Sequence, residues 1–247
     1  MIPRFVTALP VFNEVAHVDA VLDEVLKYCD DIVVIDDGST DGTAEVLAKR
    51  NDVKTVPHPV NRGYGAALIT AFEYAQTEGY EALVTIDCDG QHEPKRIPRF
   101  VSELIEQEAD LVSGSRYLQT FDGDSVPPEQ RRAINARITK QLNQMLKLNL
   151  TDAFCGFKAY RVDALRDLEI QETGYGMPLE FWVQAVCREF KIVELPVPLI
   201  YLDEKRSFGG SLDDGQQRYD YYQEILGRAI NALPQKCSEA FAGDTTG

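Results

Sequence analysis

Ala82-Leu83-Val84-Thr85-Ile86-Asp87-Cys88-Asp89-Gly90-Gln91-His92 is an apolar run that ends abruptly in acidic and amide side chains. The run is short and β-branched, and it is followed by a glycine turn, so it reads as a buried parallel strand. In an extended backbone residues i and i+2 share a face, which predicts that Asp87 and Asp89 converge. Two carboxylates with the amide oxygen of Gln91 make a hard-oxygen site suited to Mg2+ or Mn2+ rather than Zn2+. Open α/β sheets bind ligands in the crevice beyond the carboxyl ends of their strands. An isolated Asp-X-Asp reads more readily as a solvated acidic turn, and it is the rest of the chain that reverses this reading.

Apolar strands alternate with helical patterns from residue 4 to about 113. The predicted strands are 4–9, 31–36, 53–56, 82–87 and 110–113, and the helices lie near 15–28, 42–50, 64–78 and 94–107. This alternation predicts an α/β fold with a mostly parallel central sheet and helices on both faces. Asp41 is placed to cap the second helix, and Pro94 opens the fourth. Beyond 113 come a polar loop at 118–130, a basic helix at 129–147, an irregular segment and a helix at 177–189. A strand at 191–195, a loop at 203–215 and a helix at 216–233 follow. The expected organisation is one catalytic domain over 1–233, with a Rossmann-like nucleotide-binding half to about 115, an acceptor half from about 116, and a flexible tail at 234–247.

The bulk composition narrows the function. A net charge of −15 on 247 residues opposes nucleic-acid binding, which needs a basic face, and opposes simple adhesion to anionic lipid. An anionic substrate therefore needs a metal ion or local arginines. The five cysteines have no paired metal spacing and read as reduced, mostly buried thiols of a cytoplasmic protein. Cys88 is expected to face away from its flanking aspartates and to serve in packing. The N-terminus lacks a signal-peptide pattern, and no apolar run approaches the ~20 residues that span a bilayer. The expectation is a cytoplasmic protein, peripheral at most to the cytoplasmic membrane face.

Three further segments carry candidate binding residues. Ala8-Leu9-Pro10-Val11-Phe12-Asn13-Glu14 closes the first strand at the sheet edge where a nucleotide base can lie. Val33-Val34-Ile35-Asp36-Asp37-Gly38-Ser39-Thr40-Asp41-Gly42-Thr43 closes the second. There an aspartate can accept from a base or a ribose hydroxyl, or simply cap a turn. Asn61-Arg62-Gly63-Tyr64-Gly65 opens the third helix with backbone N–H groups available to phosphate or ribose. It is not the dinucleotide fingerprint, because the third glycine is missing, and no Walker-type Gly-Lys-Ser/Thr occurs.

In this order the segments resemble family 2 glycosyltransferases, over roughly residues 5–212. Asp87-Cys88-Asp89-Gly90-Gln91-His92-Glu93-Pro94 is similar to the metal motif of the polyprenyl-phosphate sugar transferases, the dolichyl-phosphate mannosyltransferase group. Ser113-Gly114-Ser115-Arg116-Tyr117 and Thr151-Asp152-Ala153-Phe154-Cys155-Gly156-Phe157-Lys158 match further segments, with Lys158 where arginine is usual. Arg206-Ser207-Phe208-Gly209-Gly210-Ser211-Leu212 resembles an Arg…Gly-Ser-Lys loop, with Leu212 where lysine is expected.

The resemblance implies a GT-A fold and a metal-dependent inverting transfer of mannose or glucose. The donor would be a GDP- or UDP-hexose and the acceptor a polyprenyl (dolichyl-type) phosphate. It implies donor-nucleotide contacts at Leu9, Pro10, Phe12, Glu14, Asp36, Asp37, Gly65, Asp87 and Cys88, and a cation on Asp87, Asp89 and Gln91. Arg116, Arg131, Arg132 and Arg206 would hold the acceptor phosphate, and Asp89, Asp152, Arg116 and Arg206 would carry the catalysis. A phosphate acceptor is an ionised nucleophile that needs positioning more than a base, whereas a hydroxyl acceptor would need Asp152 as its base. That second reading, a transferase of cell-surface glycan synthesis, stays open, as does a catalytically silent sugar-nucleotide-binding subunit. Many relatives carry C-terminal transmembrane helices, so a membrane-anchoring partner protein belongs to the expectation. The stripe Tyr219, Tyr222, Leu226, Ala229, Ile230 and Leu233 is expected to pack on the domain. Glu180 is expected in a structural salt bridge.

Overall fold

Runs that are apolar to their last residue and then turn polar become strands, because only the sheet interior hides them completely. In the computed structural model, which describes residues 2–201, 210–234 and 237, β1 (Phe5–Val11), β2 (Ile32–Asp36), β3 (Lys54–Pro57), β4 (Ala82–Thr85) and β5 (Leu111–Ser115) alternate with helices. The helices are α1 (Val18–Val25), α2 (Thr43–Leu47), α3 (Tyr64–Thr77) and α4 (Ile97–Glu106). The chain continues through α5 (Glu129–Leu146), β6 (Lys158–Arg161), α6 (Val162–Leu165), α7 (Met177–Cys187), β7 (Ile192–Pro196) and α8 (Gly215–Asn231).

The strands form one sheet in the order β3-β2-β1-β4-β6-β5-β7. All neighbours run parallel except β6, which is antiparallel to both β4 and β5. The chain winds outward through β2 and β3, then returns to place β4 on the other side of β1. That reversal opens a crevice at the carboxyl ends of β1 and β4. One face of the sheet is covered by α3, α5, α7 and α8, through residues such as Phe72, Leu142, Trp182 and Tyr222. The other is covered by α1 and α4, through Leu22, Ile97 and Phe100.

Four expectations meet the structure here. The segment between 147 and 177 is not wholly irregular, because β6 fills the gap between β4 and β5, pairing Tyr160 with Leu83 on one side and Leu111 on the other. Four residues that begin with lysine and end with arginine carry no readable strand period, and only partners on both sides make them a strand. The stripe on α8 packs as expected, with Tyr222, Leu226 and Ala229 buried and Tyr219, Ile230 and Leu233 against them. Among the described residues Glu180 forms no salt bridge. Its carboxylate accepts the backbone N–H groups of Gln171 (3.0 Å) and Glu172 (2.7 Å) and the amide of Gln184 (3.1 Å). Asp41 is not the cap of α2, whose cap position is Gly42. Its carboxylate folds the turn before the helix, accepting Thr43 N–H at 3.0 Å, and its second oxygen takes Val15 N–H from the β1–α1 turn.

The reading of all five cysteines as reduced thiols is corrected. Cys187, at the end of α7, is disulfide-bonded to Cys237, across a sequence separation of 50. The pairing arises because α8 lies alongside α7 in the same direction, with Gly176 at the start of α7 against Tyr221 and Ile225, a proximity that spacing in the sequence does not encode. Cys29, Cys88 and Cys155 are buried thiols. Among the described residues no helix is long and apolar enough to cross a membrane. Thiol titration of unfolded, unreduced protein should therefore find the three thiols of Cys29, Cys88 and Cys155. After reduction it should find five, whereas five before reduction would contradict the bridge.

Candidate active site

The crevice holds a cavity of about 390 Å3. Its wall takes residues from the ends of β1, β2, β4 and β5 and from the starts of α3, α5, α7 and α8. Its carboxylates and the Gln91 amide come from the ends of β1, β2 and β4, the acidic end, and its arginines from the end of β5 and the starts of α5 and α8, the arginine end.

At the acidic end, Pro10, Phe12, Glu14, Asp37, Asp87, Cys88, Asp89 and Gln91 come together on the wall as expected. Leu9 does not, because it is fully buried in the sheet core. Asp36 turns back to accept Ser39 N–H (3.1 Å). Gly65 is a packing residue, since a Cβ there would stand 2.6 Å from the Glu172 carbonyl oxygen. Asp37 is on the wall but serves the loop before α3, accepting Arg62 N–H (2.9 Å), Gly63 N–H (2.8 Å) and His58 Nδ1 (2.6 Å).

β4 stops at Thr85, so Asp87 and Asp89 lie in the bend beyond it rather than on an extended strand. Asp87 accepts the Tyr64 hydroxyl at 3.0 Å and stands 3.3 Å from His92 Nε2. Burial raises the Tyr64 hydroxyl well above its ordinary value, which keeps it a donor. Asp89 accepts Gln91 N–H at 3.0 Å, which folds the motif into a tight turn. Cys88 is 2% exposed within the lower core, the packing role expected of it.

A divalent cation fits this donor set. Among the described residues no group of three His, Cys, Asp or Glu side chains is placed to hold a metal ion. Mg2+, however, is usually held by one or two carboxylates plus substrate phosphates rather than by a protein cage. Asp87, Asp89 and Gln91 supply two carboxylates and an amide oxygen on one wall. The backbone makes room for them at Gly156, where a Cβ would meet Asp87 Oδ2 at 2.2 Å.

The arginine end is built around Asp152. It is 1% exposed and takes the Arg116 guanidinium through two hydrogen bonds, Nε to Oδ2 at 2.6 Å and Nη2 to Oδ1 at 2.9 Å. Burial raises its pKa, but the Arg116 charge together with the hydrogen bonds from Arg116 and from the Phe154 and Arg116 backbone N–H groups outweighs burial and holds the carboxyl below its ordinary value. Behind it the Glu194 carboxylate of β7 accepts the backbone N–H groups of Thr151 and Asp152 (2.9–3.1 Å), and burial raises this second carboxyl. Lys158 is buried below the site, donating to Ser113 Oγ (2.9 Å) and to the Cys155 carbonyl, and desolvation lowers its pKa. Arg131 and Arg132 reach the cavity from the first turn of α5, and Arg131 donates to the Tyr201 hydroxyl at 2.6 Å. Arg206 lies outside the described residues.

Sequence reasoning passed over Tyr64, His92, Gly156, Tyr175 and Arg218. Tyr64 and His92 stand inside motifs already singled out, so the signal was present as an aromatic beside each polar cluster. Arg218 is 2% exposed on the cavity wall. It precedes the buried Tyr222 by one helical turn, and an arginine in line with an apolar stripe was its signal.

Comparison with known proteins agrees with this geometry. The family profile described as "Glycosyl transferase family 2" matches residues 7–169. An undecaprenyl-phosphate mannosyltransferase of Micrococcus luteus is 32% identical over 219 residues, covering 84% of this chain and 88% of the relative. A polyprenol monophosphomannose synthase of Mycolicibacterium smegmatis is 28% identical, covering 78% and 76%. Glucosyl-3-phosphoglycerate synthase of Mycobacterium tuberculosis, solved with Mn2+, UDP-glucose and phosphoglyceric acid, superposes with a TM-score of 0.70. It is 20% identical and covers 94% of this chain and 81% of its own. That likeness shows the fold, which is of GT-A type.

The Asp152 pair yields a stability test. Its folded pKa lies below the unfolded value near ~3.9, so the ionised carboxylate stabilises the fold above that value. The contribution is lost as the pH falls through the folded value. Arg116→Ala leaves the carboxylate buried without its cation and should cost about 3–5 kcal/mol in urea unfolding at neutral pH. The gap to wild type should narrow as the pH drops through the acid range.

Proposed function

The chain belongs to glycosyl transferase family 2, and on that premise we propose that it moves a hexose from a nucleotide-diphosphate sugar to a polyprenyl phosphate. The nucleotide lies along Pro10, Phe12, Glu14 and Asp37 at the β1 and β2 ends, with its diphosphate toward Asp87 and Asp89. Asp89, with Asp87 and Gln91, would hold Mg2+ or Mn2+, and the relatives solved with Mn2+ or Mg2+ and UDP support that choice. A bound divalent cation stabilises the charge that grows on a departing diphosphate. Tyr64 donates to Asp87 and keeps that carboxylate oriented.

The observation that carries the acceptor class is the burial of Asp152 in its pair with Arg116. A hydroxyl acceptor needs a base, and the carboxylate expected to provide one is closed to the cavity and engaged in two charged hydrogen bonds. A phosphate monoester needs no base at neutral pH. It needs cations in fixed positions, and Arg116, Arg131, Arg132 and Arg218 line one cavity in a chain of net charge −15. Asp152 thus orients Arg116 rather than taking a proton. Attack by the acceptor oxygen on the anomeric carbon, opposite the leaving diphosphate, inverts that centre. The similarity to undecaprenyl-phosphate and polyprenol-phosphate mannosyltransferases supports the lipid phosphate and favours mannose.

Radiolabelled GDP- and UDP-hexoses incubated with polyprenyl phosphate and Mn2+ or Mg2+ should carry label into the lipid extract. EDTA should stop the transfer. Asp89→Ala should lower it by at least about 100-fold with an unchanged circular-dichroism spectrum. Transfer that persists in both cases would refute the cation site, and label found only on a hydroxyl acceptor would refute the phosphate.

A further inference from the structure

The segment Gly174-Tyr175-Gly176 is wedged between α3 and α8, both of which line the cavity. On one side it meets the start of α3. Gly63 has φ +102°, and a Cβ there would stand 2.4 Å from the Thr173 carbonyl oxygen, which also accepts Ala66 N–H at 3.0 Å. On the other side it meets α8. A Cβ on Gly174 would be 2.8 Å from the Tyr221 hydroxyl, and one on Gly176 would be 2.7 Å from Ile225. The Tyr221 hydroxyl accepts Gly176 N–H (3.2 Å) and donates to Glu172 (2.7 Å), whose other oxygen takes Arg228. Glycines thus permit a close approach on both sides, and the one large side chain between them is held in place.

That side chain lies on the cavity wall. The Tyr175 ring is stacked on Tyr64, with centroids 5.9 Å apart and planes 14° from parallel, yet it remains 39% exposed. Tyr64 in turn donates to Asp87. The platform is therefore one aromatic ring away from the carboxylate that faces the donor diphosphate, and it leans on the helix that carries Arg218 and Tyr222. A pyranose presents C–H bonds on its faces, and an aromatic face with its negative quadrupole attracts them.

We propose that Tyr175 is the platform on which the transferred hexose lies, with Tyr64 as the residue that positions the platform relative to Asp87. The inference rests on the donor reading of the cavity. Tyr175 contributes contact with the sugar and none with the nucleotide, which separates it from the rest of the acidic end.

Calorimetry with Mn2+ present, comparing UDP with UDP-glucose and GDP with GDP-mannose, tests this on wild type, Tyr175→Ala and Tyr175→Phe. Tyr175→Ala should weaken binding of the hexose conjugate by about tenfold, the scale of one aromatic face contact, and leave the free nucleoside diphosphate unchanged. Tyr175→Phe should bind as wild type does, because the ring face and not the hydroxyl makes the contact, and this variant also guards against a folding defect. Equal losses for both ligands, no loss for either, or a Phe variant as weak as Ala would each overturn the platform. If wild type binds neither pair, the donor reading fails and takes the platform with it. If wild type binds the conjugate yet labels no lipid, only the acceptor assignment fails and the binding comparison still decides the role of Tyr175.

Discussion

The insertion of β6 between β4 and β5 is the constraint on which the rest of this structure depends. Four residues, hydrogen-bonded on both edges and antiparallel to both neighbours, join the first four strands to the last two. The segment leading into β6 crosses the carboxyl ends of the sheet, and with the first residue of β6 it holds the groups around the cavity in place. Asp152 meets Arg116, Gly156 meets Asp87, and Lys158 ties the Cys155 carbonyl to Ser113. A side chain at position 156 would push directly on the Asp87 carboxylate. The two ends of the site are therefore coupled through one short stretch of chain.

Electrostatics explain why the site is divided as it is. A chain with a net charge of −15 repels anionic substrates in general, so it gathers cations where an anion must enter. Arg116 is neutralised in part by Asp152, and that pair is backed by the Glu194 carboxylate on the neighbouring backbone. Burial of such a pair favours fixed geometry over binding strength, because the guanidinium cannot swing away without leaving a buried charge. Arg131 and Arg132 sit at a helix start, where positive charge opposes the helix dipole. An anion at that end relieves the conflict.

The strand ends and the acidic motif were legible because parallel strands buried on both faces are apolar without interruption and stop sharply. The helices on both faces followed from the same alternation. β6 was not legible, because Lys158 and Arg161 break any apolar pattern and the strand exists only by pairing with two others. The Cys187–Cys237 bridge was hidden for the same kind of reason, since two helices bring together residues 50 apart. Among the site residues, Asp87, Asp89, Gln91, Arg116, Arg131 and Arg132 were legible as charged or amide groups at strand ends and at a helix start. Leu9, Asp36 and Gly65 stand in the same motifs but face the core, their own turn or a packing contact.

The sequence by itself determined the alternating strand and helix order, the crevice at the strand ends and the types of side chain that line it, because periodicity and turn chemistry are local. Only the tertiary structure decided that Asp152 is buried against Arg116, and that Gly156 seats Asp87. It also brought Tyr175 onto Tyr64 beside that carboxylate. Each of these depends on what a residue meets across a distance of many residues along the chain. A carboxylate in water and a carboxylate buried against a guanidinium are the same letter in the sequence but do different chemistry.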